Sequence, residues 1–366
     1  MKTLLYQQVY DDIRHQIEIG GLPAGSRIPS LEALAESYGV STITTRRALD
    51  MLASDGLVLR RPRIGTVVMA PDSRGDEPSQ KQPILVGCLV TNYDDTFGTQ
   101  LLSGVLDAAE GRAEVVVKRS MGDLTREEDA LRSLVDFGVH GVILEPTSSL
   151  QISSAVLELA ARRFPLVIVD RSVDSVPISS VSSDNFGGGK LATEHLIGLG
   201  HRHIAWMAPP PGVSTVEDRH AGYVRAQAEH DIAYLASQEL TSIKSVVPGA
   251  VDGMGDDLDK MDEFLTTHPD VTAFLVSEYN IALLLATACR RRGILVGKDV
   301  AVVCFDHPAS VFDPDRFTFT HIRQDQAAMA GVAVDQLLAE VQRPGSVEHH
   351  IVPIELVMGD SSTATT

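Results

Sequence analysis

Ser41, Thr42, Thr44, Thr45, Arg46 and Arg47 lie within one stretch of seven residues. Hydroxyls can bond phosphates or base edges, and an arginine can bond guanine through two parallel hydrogen bonds. Arg60, Arg61 and Arg63 crowd the turn Pro62-Arg63-Ile64-Gly65, a charge density suited to phosphates or the minor groove. With Arg27 and Gly65 they form a candidate DNA-reading set. A second set differs in kind. Asp95, Phe97, Asp170, Arg171, Arg219, Glu278, Asp306 and Gln324 are acids, an amide, arginines and a ring. Carboxylates accept from hydroxyls, arginine donates, and a ring can stack on an apolar sugar face, so this set suits a small polyhydroxylated effector. No order of Ser, His and Asp, or of Cys and His, suggests catalysis. No catalytic residue is assigned, no enzyme is expected and no cofactor is implied.

The first set needs two helices and a hairpin to hold it. Ser30, after Pro29, can cap a helix through Tyr38, Gly39 turns the chain, and Ser41 can cap a second helix from Thr42 to about Ser54. Gly56 ends that helix, and 57–61 and 66–68 flank the tight turn. This is a helix-turn-helix with a wing, in which Ala48, Leu49 and Leu52 pack inward. Leu5, Val9, Ile13 and Ile17 mark one face of a preceding helix. Residues 71–82 hold turn formers and charges, with no apolar side chain except prolines, and read as a linker.

From Pro83 onward, strands and helices alternate. Strands are expected over 84–90, 114–118, 141–144, 166–169, 204–208, 273–276, 301–305 and 351–356, with 178–183 and 318–322 as crossing segments. Helices are expected between them, among them 150–163, 187–199, 217–229 and 324–341. The alternation predicts two similar α/β lobes with doubly wound parallel sheets and a cleft between them. Ligands of such sheets bind beyond the carboxyl ends of the strands, which is where the second set falls. Phe186-Gly187-Gly188-Gly189-Lys190 lacks the spacing of a phosphate loop and reads as a helix start needing close approach.

At 366 residues the chain is too long for one core. Its formal charge of −18 looks wrong for a DNA binder until it is divided. Residues 1–70 hold 8 Lys and Arg against 7 Asp and Glu, or +1, and the remainder is 23 against 42, or −19. The acidic bulk therefore lies away from the basic helix and wing. Cys88, Cys289 and Cys304 sit in apolar runs and read as buried thiols. His201-Arg202-His203 and His349-His350 have no Cys or carboxylate frame at metal-ligand spacing, so no metal is expected. No leader segment opens the sequence and no apolar run approaches about 18 residues, so a cytoplasmic protein without a membrane partner is expected.

Residues 4–69 resemble the winged-helix domain of the GntR family of regulators. The matching residues are Tyr6-Gln7-Gln8-Val9, Gly25-Ser26-Arg27-Ile28-Pro29-Ser30, Leu34-Ala35, Gly39-Val40-Ser41, Thr44-Thr45-Arg46, Ala48-Leu49 and Gly65-Thr66. The match departs at Thr42, often Arg in the family, and at the wing tip. Residues 84–358 resemble the effector domain of the LacI/GalR family, which shares the fold of periplasmic sugar-binding proteins. Here the carriers are Gly141-Val142-Ile143-Leu144, Val167-Ile168-Val169-Asp170-Arg171, Ser183-Asp184-Asn185, Arg219-His220-Ala221-Gly222-Tyr223, Phe305-Asp306 and Ile322-Arg323-Gln324. The resemblance implies effector contacts at Asp170, Arg219, Asp306 and Gln324, and Arg171 matches a ligand arginine of the periplasmic relatives. Glu278 stands where the family usually has Asn, and Asp95-Thr96-Phe97-Gly98 replaces its usual aromatic loop. The fusion of the two domains is similar to that of the arabinose repressors of Gram-positive bacteria.

The expected fold is an α+β winged helix-turn-helix followed by a two-lobed α/β domain of the periplasmic-binding-protein type (type I). Boundaries are expected at 1–70, 71–82 and 83–362, with the first lobe about 83–183 and 323–345 and the second about 184–322 and 346–362. The expected function is a ligand-responsive transcriptional regulator, a repressor of carbohydrate-utilisation genes. It would bind operator DNA as a homodimer through the first lobe, as the resemblance implies, and respond to a monosaccharide or derivative. The rival reading is a cytoplasmic sugar-binding protein without a regulatory role.

Overall fold

The computed structural model describes residues 5–61, 65–69, 83–93, 96–173, 175–250, 252–308, 316–362 and 364. The chain divides into two compact units, Met1–Pro83 and Ile84–Thr366. The expected linker 71–82 lies outside the described residues.

In the first unit, α1 is Leu5–Glu18, α2 Leu31–Tyr38 and α3 Thr42–Ser54, followed by strands β1 (Val58–Arg61) and β2 (Gly65–Val68). Ser30 caps α2 by accepting from Ala33 N at 3.2 Å, and Gly39 ends it at φ +64°, a left-handed turn that costs glycine little. Strands β1 and β2 pair antiparallel as the wing, with Arg61 opposite Gly65. Val9, Ile13, Leu34, Ala48, Leu49, Leu52, Val58 and Val68 form the unit's core.

The second unit runs β3 (Ile84–Val90), α4 (Thr96–Ala109), β4 (Ala113–Arg119), α5 (Leu124–Phe137), β5 (Gly141–Leu144), α6 (Ser154–Ala161), β6 (Leu166–Val169) and β7 (Ser179–Ser183). It continues with α7 (Asn185–Gly198), β8 (Ile204–Met207), α8 (Ser214–Glu229), β9 (Glu239–Leu240), α9 (Met254–Thr267), β10 (Ala273–Val276), α10 (Tyr279–Arg291) and β11 (Ala301–Phe305). It closes with β12 (Thr320–Gln324), α11 (Gln326–Gln342), β13 (His349–Val352) and β14 (Ile354–Val357). Two six-stranded sheets result, ordered β13-β7-β6-β5-β3-β4 and β14-β12-β11-β10-β8-β9. Pairing is parallel except where β14 runs against β12. The apolar strands are buried on both faces under helices, as parallel sheets require.

The chain crosses between the lobes after β7, after β12 and between β13 and β14. Three expectations are corrected here. Residues 178–183 and 318–322 are not mere crossings, because β7 and β12 are full sheet members. Residues 323 and 324 belong to the second lobe's sheet, and the return to the first lobe begins with α11. The expected strand 351–356 is two strands in different sheets, so 349–352 belongs to the first lobe. Pro353 separates them, and a proline donates no ladder hydrogen bond. Among the described residues no helix is long and apolar enough to cross a membrane.

Candidate functional site

Helix α3 starts at Ser41, whose Oγ accepts from Thr44 N at 3.2 Å and lies 2.8 Å from Thr44 Oγ1. Thr42, Arg46 and Arg47 are exposed beyond it, and Arg27 is exposed while its backbone bridges to Val67 of β2. The Arg47 guanidinium lies 4.2 Å from the centre of the Tyr6 ring, so α1 steadies it. Arg60 and Arg61 occupy β1 opposite Thr66 and Gly65, and Gly65 takes φ +101° to leave the wing tip. Arg63 lies outside the described residues. Thr45 is corrected. It is fully buried, and its hydroxyl donates to Leu31 O and Thr42 O at 3.2 and 3.0 Å. It belongs to the inward stripe with Ala48, Leu49 and Leu52, at i, i+3, i+4 and i+7, and the spacing alone could have assigned it there. Ile43 is 78% exposed on the first turn of α3, where an apolar side chain can meet a thymine methyl.

The second set meets in a cavity of about 790 Å³ between the lobes. The first lobe contributes Phe97, Asp170 and Arg171, the second Arg219, Glu278 and Asp306, and Gln324 reaches it from the end of β12. Asp95 lies outside the described residues. Asp170 and Asp306 occupy equivalent turns, each directly after a strand, with φ of +67° and +59°. Their N–H groups donate to Val181 O and Ile322 O, both at 2.9 Å. Aspartate is among the few residues with a side chain that tolerate this left-handed turn, which aims one carboxylate from each lobe at the cleft.

Arg219 sits on α8, 6% exposed. Its Nε donates to Asn185 Oδ1 and its Nη1 to Ser277 O, both at 2.8 Å, and its guanidinium lies 4.0 Å from the Phe305 ring centre. Burial lowers its pKa, while Asp170, Asp306 and Glu278 oppose that. Arginine stays charged under such opposing pulls. Helix α8 holds it there by close approach to α7. A Cβ on Gly189 would lie 2.0 Å from Arg219 O, and one on Gly222 2.1 Å from Phe186 O. Gly188 meets the sheet side, since its Cβ would come 2.9 Å from the Phe305 ring. The glycine run thus serves close packing and not phosphate binding.

Asp306 accepts from Gln324 Nε2 at 2.7 Å and Gln326 Nε2 at 2.9 Å. Burial raises its pKa, against Arg219 and these two amides. Arg171 is largely committed to the protein: Nη1 donates to Pro146 O and Thr147 O at 2.6 and 2.9 Å, and Nη2 lies 3.3 Å from Glu145. Glu145 in turn accepts from Thr91 N and Oγ1 at 2.9 and 2.7 Å, and burial pushes its pKa up against the pull of Arg171. Sequence reasoning missed Thr91, Glu145, Asn185 and Gln326. Glu145 directly follows β5, so the strand-end rule pointed at it. Arg171 Nε, Ser277 Oγ and Gln324 Oε1 are buried around the cavity without a hydrogen-bond partner among the described residues. Buried polar atoms are ordinarily satisfied, so such a cluster is open to hydrogen bonds from a ligand. Among the described residues no group of His, Cys, Asp and Glu could hold a metal ion.

Residues 5–68 match the gntR family of bacterial regulatory proteins, and residues 193–362 match the periplasmic binding protein-like domain. The arabinose metabolism transcriptional repressor of Geobacillus stearothermophilus is 27% identical over 353 residues, 93% of each chain. The lactose operon repressor of Escherichia coli strain K12 is 26% identical over 343 residues, 92% of this chain and 91% of its own. A solved complex of the transcriptional regulator CelR with cellobiose superposes with a TM-score of 0.66 at 21% identity, over 92% of this chain and all of that one. The chain thus carries a gntR-type regulatory domain over residues 5–68, and behind it a periplasmic binding protein-like domain of the fold found in the LacI-type regulators.

Proposed function

We propose that this chain represses carbohydrate-utilisation genes and is controlled by a neutral monosaccharide or a derivative of one. As a homodimer joined through the first lobes, it sets two winged helices on paired half-sites of operator DNA, since one such helix contacts too little DNA for strong specificity. Effector closing the two lobes changes the spacing of those helices, to the extent that it binds one arrangement better than the other. The observation that carries the reading is the convergence of Asp170, Arg219 and Asp306 from two lobes on one cavity, in a chain whose α3 presents Thr42, Arg46 and Arg47 outward. Relatives named as arabinose and lactose repressors support the sugar class. Glu145, Asp170, Glu278 and Asp306 outnumber Arg171, Arg219 and the exposed Lys244 around the cavity, which disfavours uronates and sugar phosphates. The effector groups are set to bind and not to react, so we read the chain as a regulator that works in the cytoplasm and not as an enzyme.

The test is a gel shift with operator DNA selected from random sequence, titrated with a panel of neutral and acidic sugars. Arg46→Ala weakens operator binding by about 1–3 kcal/mol. Arg219→Lys keeps a charge but loses the planar fork that meets Asn185, Ser277 and the ligand. The sugar concentration that changes operator binding then rises about ten- to hundredfold. A response confined to uronates, or an Arg219→Lys titration identical to the parent's, overturns the cleft assignment.

A further inference from the structure

We infer that the effector is a neutral glycoside whose second half is apolar, and not a free monosaccharide. The inference rests on the reading that the cavity takes a neutral sugar, and it concerns the part of the cavity that such a sugar leaves empty. At about 30 Å³ per water, a space of this size holds on the order of 26 waters, and a pyranose of about twelve heavy atoms displaces fewer than half.

The sheet orders sort the lining into two ends. In both sheets the strands beside the crossovers, β6, β11 and β12, deliver the charged groups Asp170, Arg171 and Asp306 and the amide of Gln324. The strands at the opposite flank, β4, β8 and β9, lead into loops of another character. Leu124 follows β4, Pro209-Pro210-Pro211-Gly212-Val213 follows β8, and Val246-Val247-Pro248 follows β9, all lining the cavity. The two lobes meet over that flank. A Cβ on Gly122 would lie 2.9 Å from Pro248 O, and one on Gly249 2.6 Å from Met121 O. The roof is thus backbone against backbone, with apolar side chains beneath it. Val247, which lines this cavity and a neighbouring pocket, is 41% exposed, an apolar surface that a substituent at this end can cover. The prolines hold their loop rigid before any ligand arrives, which lowers the ordering cost of binding. Lys244 lines the same end but is exposed, so water screens its charge.

The sugar ring therefore lies at the charged end and its anomeric substituent at the proline–valine end. A second sugar's apolar face and an alkyl or aryl group share that chemistry. Calorimetric titration of the full chain compares free arabinose, galactose and glucose with their phenyl glycosides and with cellobiose, maltose and lactose. For the ring that fits, the substituted form binds at least about tenfold tighter, as apolar burial of this size implies. Which substituted form is tightest tells a second sugar from an aryl group. Val247→Asp brings the ratio of substituted to free sugar affinity close to one, and Val213→Asn lowers it in the same direction, with melting curves confirming both folds. Equal affinity for free and substituted sugar overturns the inference while leaving the cleft reading intact. So does a ratio that both variants leave as it was, or tightest binding by a 4-carboxyphenyl glycoside paired with Lys244. If no neutral sugar binds in any form, the cleft reading fails and this inference falls with it.

Discussion

His307 follows Asp306 and packs its ring at 5.0 Å from Tyr279, 5.4 Å from His321 and 6.1 Å from Phe319. Burial, with smaller contributions from His321 and Arg316, pushes its pKa down to about 4. An exposed histidine titrates near 6.5. As pH falls below about 6.5, the unfolded chain takes up a proton that folded His307 refuses, so stability present above that value is lost through the window down to about 4. The raised carboxyl of Asp306 acts in the opposite sense, favouring the fold at low pH. The comparison of parent with variant therefore isolates the histidine. Denaturant unfolding between pH 7.5 and 4 gives a shallower fall for His307→Gln than for the parent. Equal slopes would show that the ring does not stay neutral. At this scale the sequence told position better than partners. Asp170 and Asp306 were legible because each ends an apolar strand, whereas Arg219's bonds to Asn185 and Ser277 join segments 34 and 58 residues away. Thr45 was misread because its hydroxyl was weighed before its place on the helical stripe.

The pairing of α7 with α8 depends on Gly189 and Gly222, and it fixes the height at which Arg219 enters the cavity. Gly189→Ala puts a methyl 2.0 Å from Arg219 O, against backbone that cannot turn aside as a side chain can. The helices must part, at a cost of about 1–3 kcal/mol or more, and Arg219 moves with α8. Thermal melts therefore show a lowered midpoint for the second unit, and calorimetry shows weaker effector binding. Gly255→Ala in α9 is the contrast, since its added Cβ meets nothing within 4 Å. It should stabilise by about 0.5–1 kcal/mol, as removing a helical glycine does. A Gly189→Ala protein as stable as the parent would refute the packing argument. Most elements were legible because strand and helix periods differ and the buried strands are nearly continuous apolar runs. Strand β9 was not, because Glu239–Leu240 is too short to carry a period. The division at Pro353 was hidden because the apolar run continues through it while the chain changes sheets.

The second unit as a whole holds its lobes together by a small polar latch as well as by whatever fills the cavity. Ser149 N and Ser148 Oγ donate to Gly212 O at 3.1 and 3.3 Å. Ser214 N donates to Ser149 Oγ, and Ser172 N to Ser214 Oγ, both at 2.9 Å. These bonds join loops of the first lobe to the start of α8, so parting the lobes at this point would break them. A neutral hydrogen bond nets roughly 0.5–1.5 kcal/mol, so each bond shifts the balance of closed over open about two- to tenfold. An effector that needs the closed form loses apparent affinity by the fraction of closed chains lost. Ser149→Ala removes one of these bonds and Ser214→Ala another, yet neither side chain lines the cavity. Each variant should therefore weaken effector binding, by up to about two- to tenfold, at unchanged chemistry in the cleft. The double variant should lose more than either single variant, with the product of the two as its upper bound. Small-angle scattering without effector should give a larger radius of gyration for the double variant, and saturating effector should restore the parent's value. Parent-like affinity in both single variants would mean that the cavity groups alone hold the lobes, and the latch would then follow closure without helping to set it.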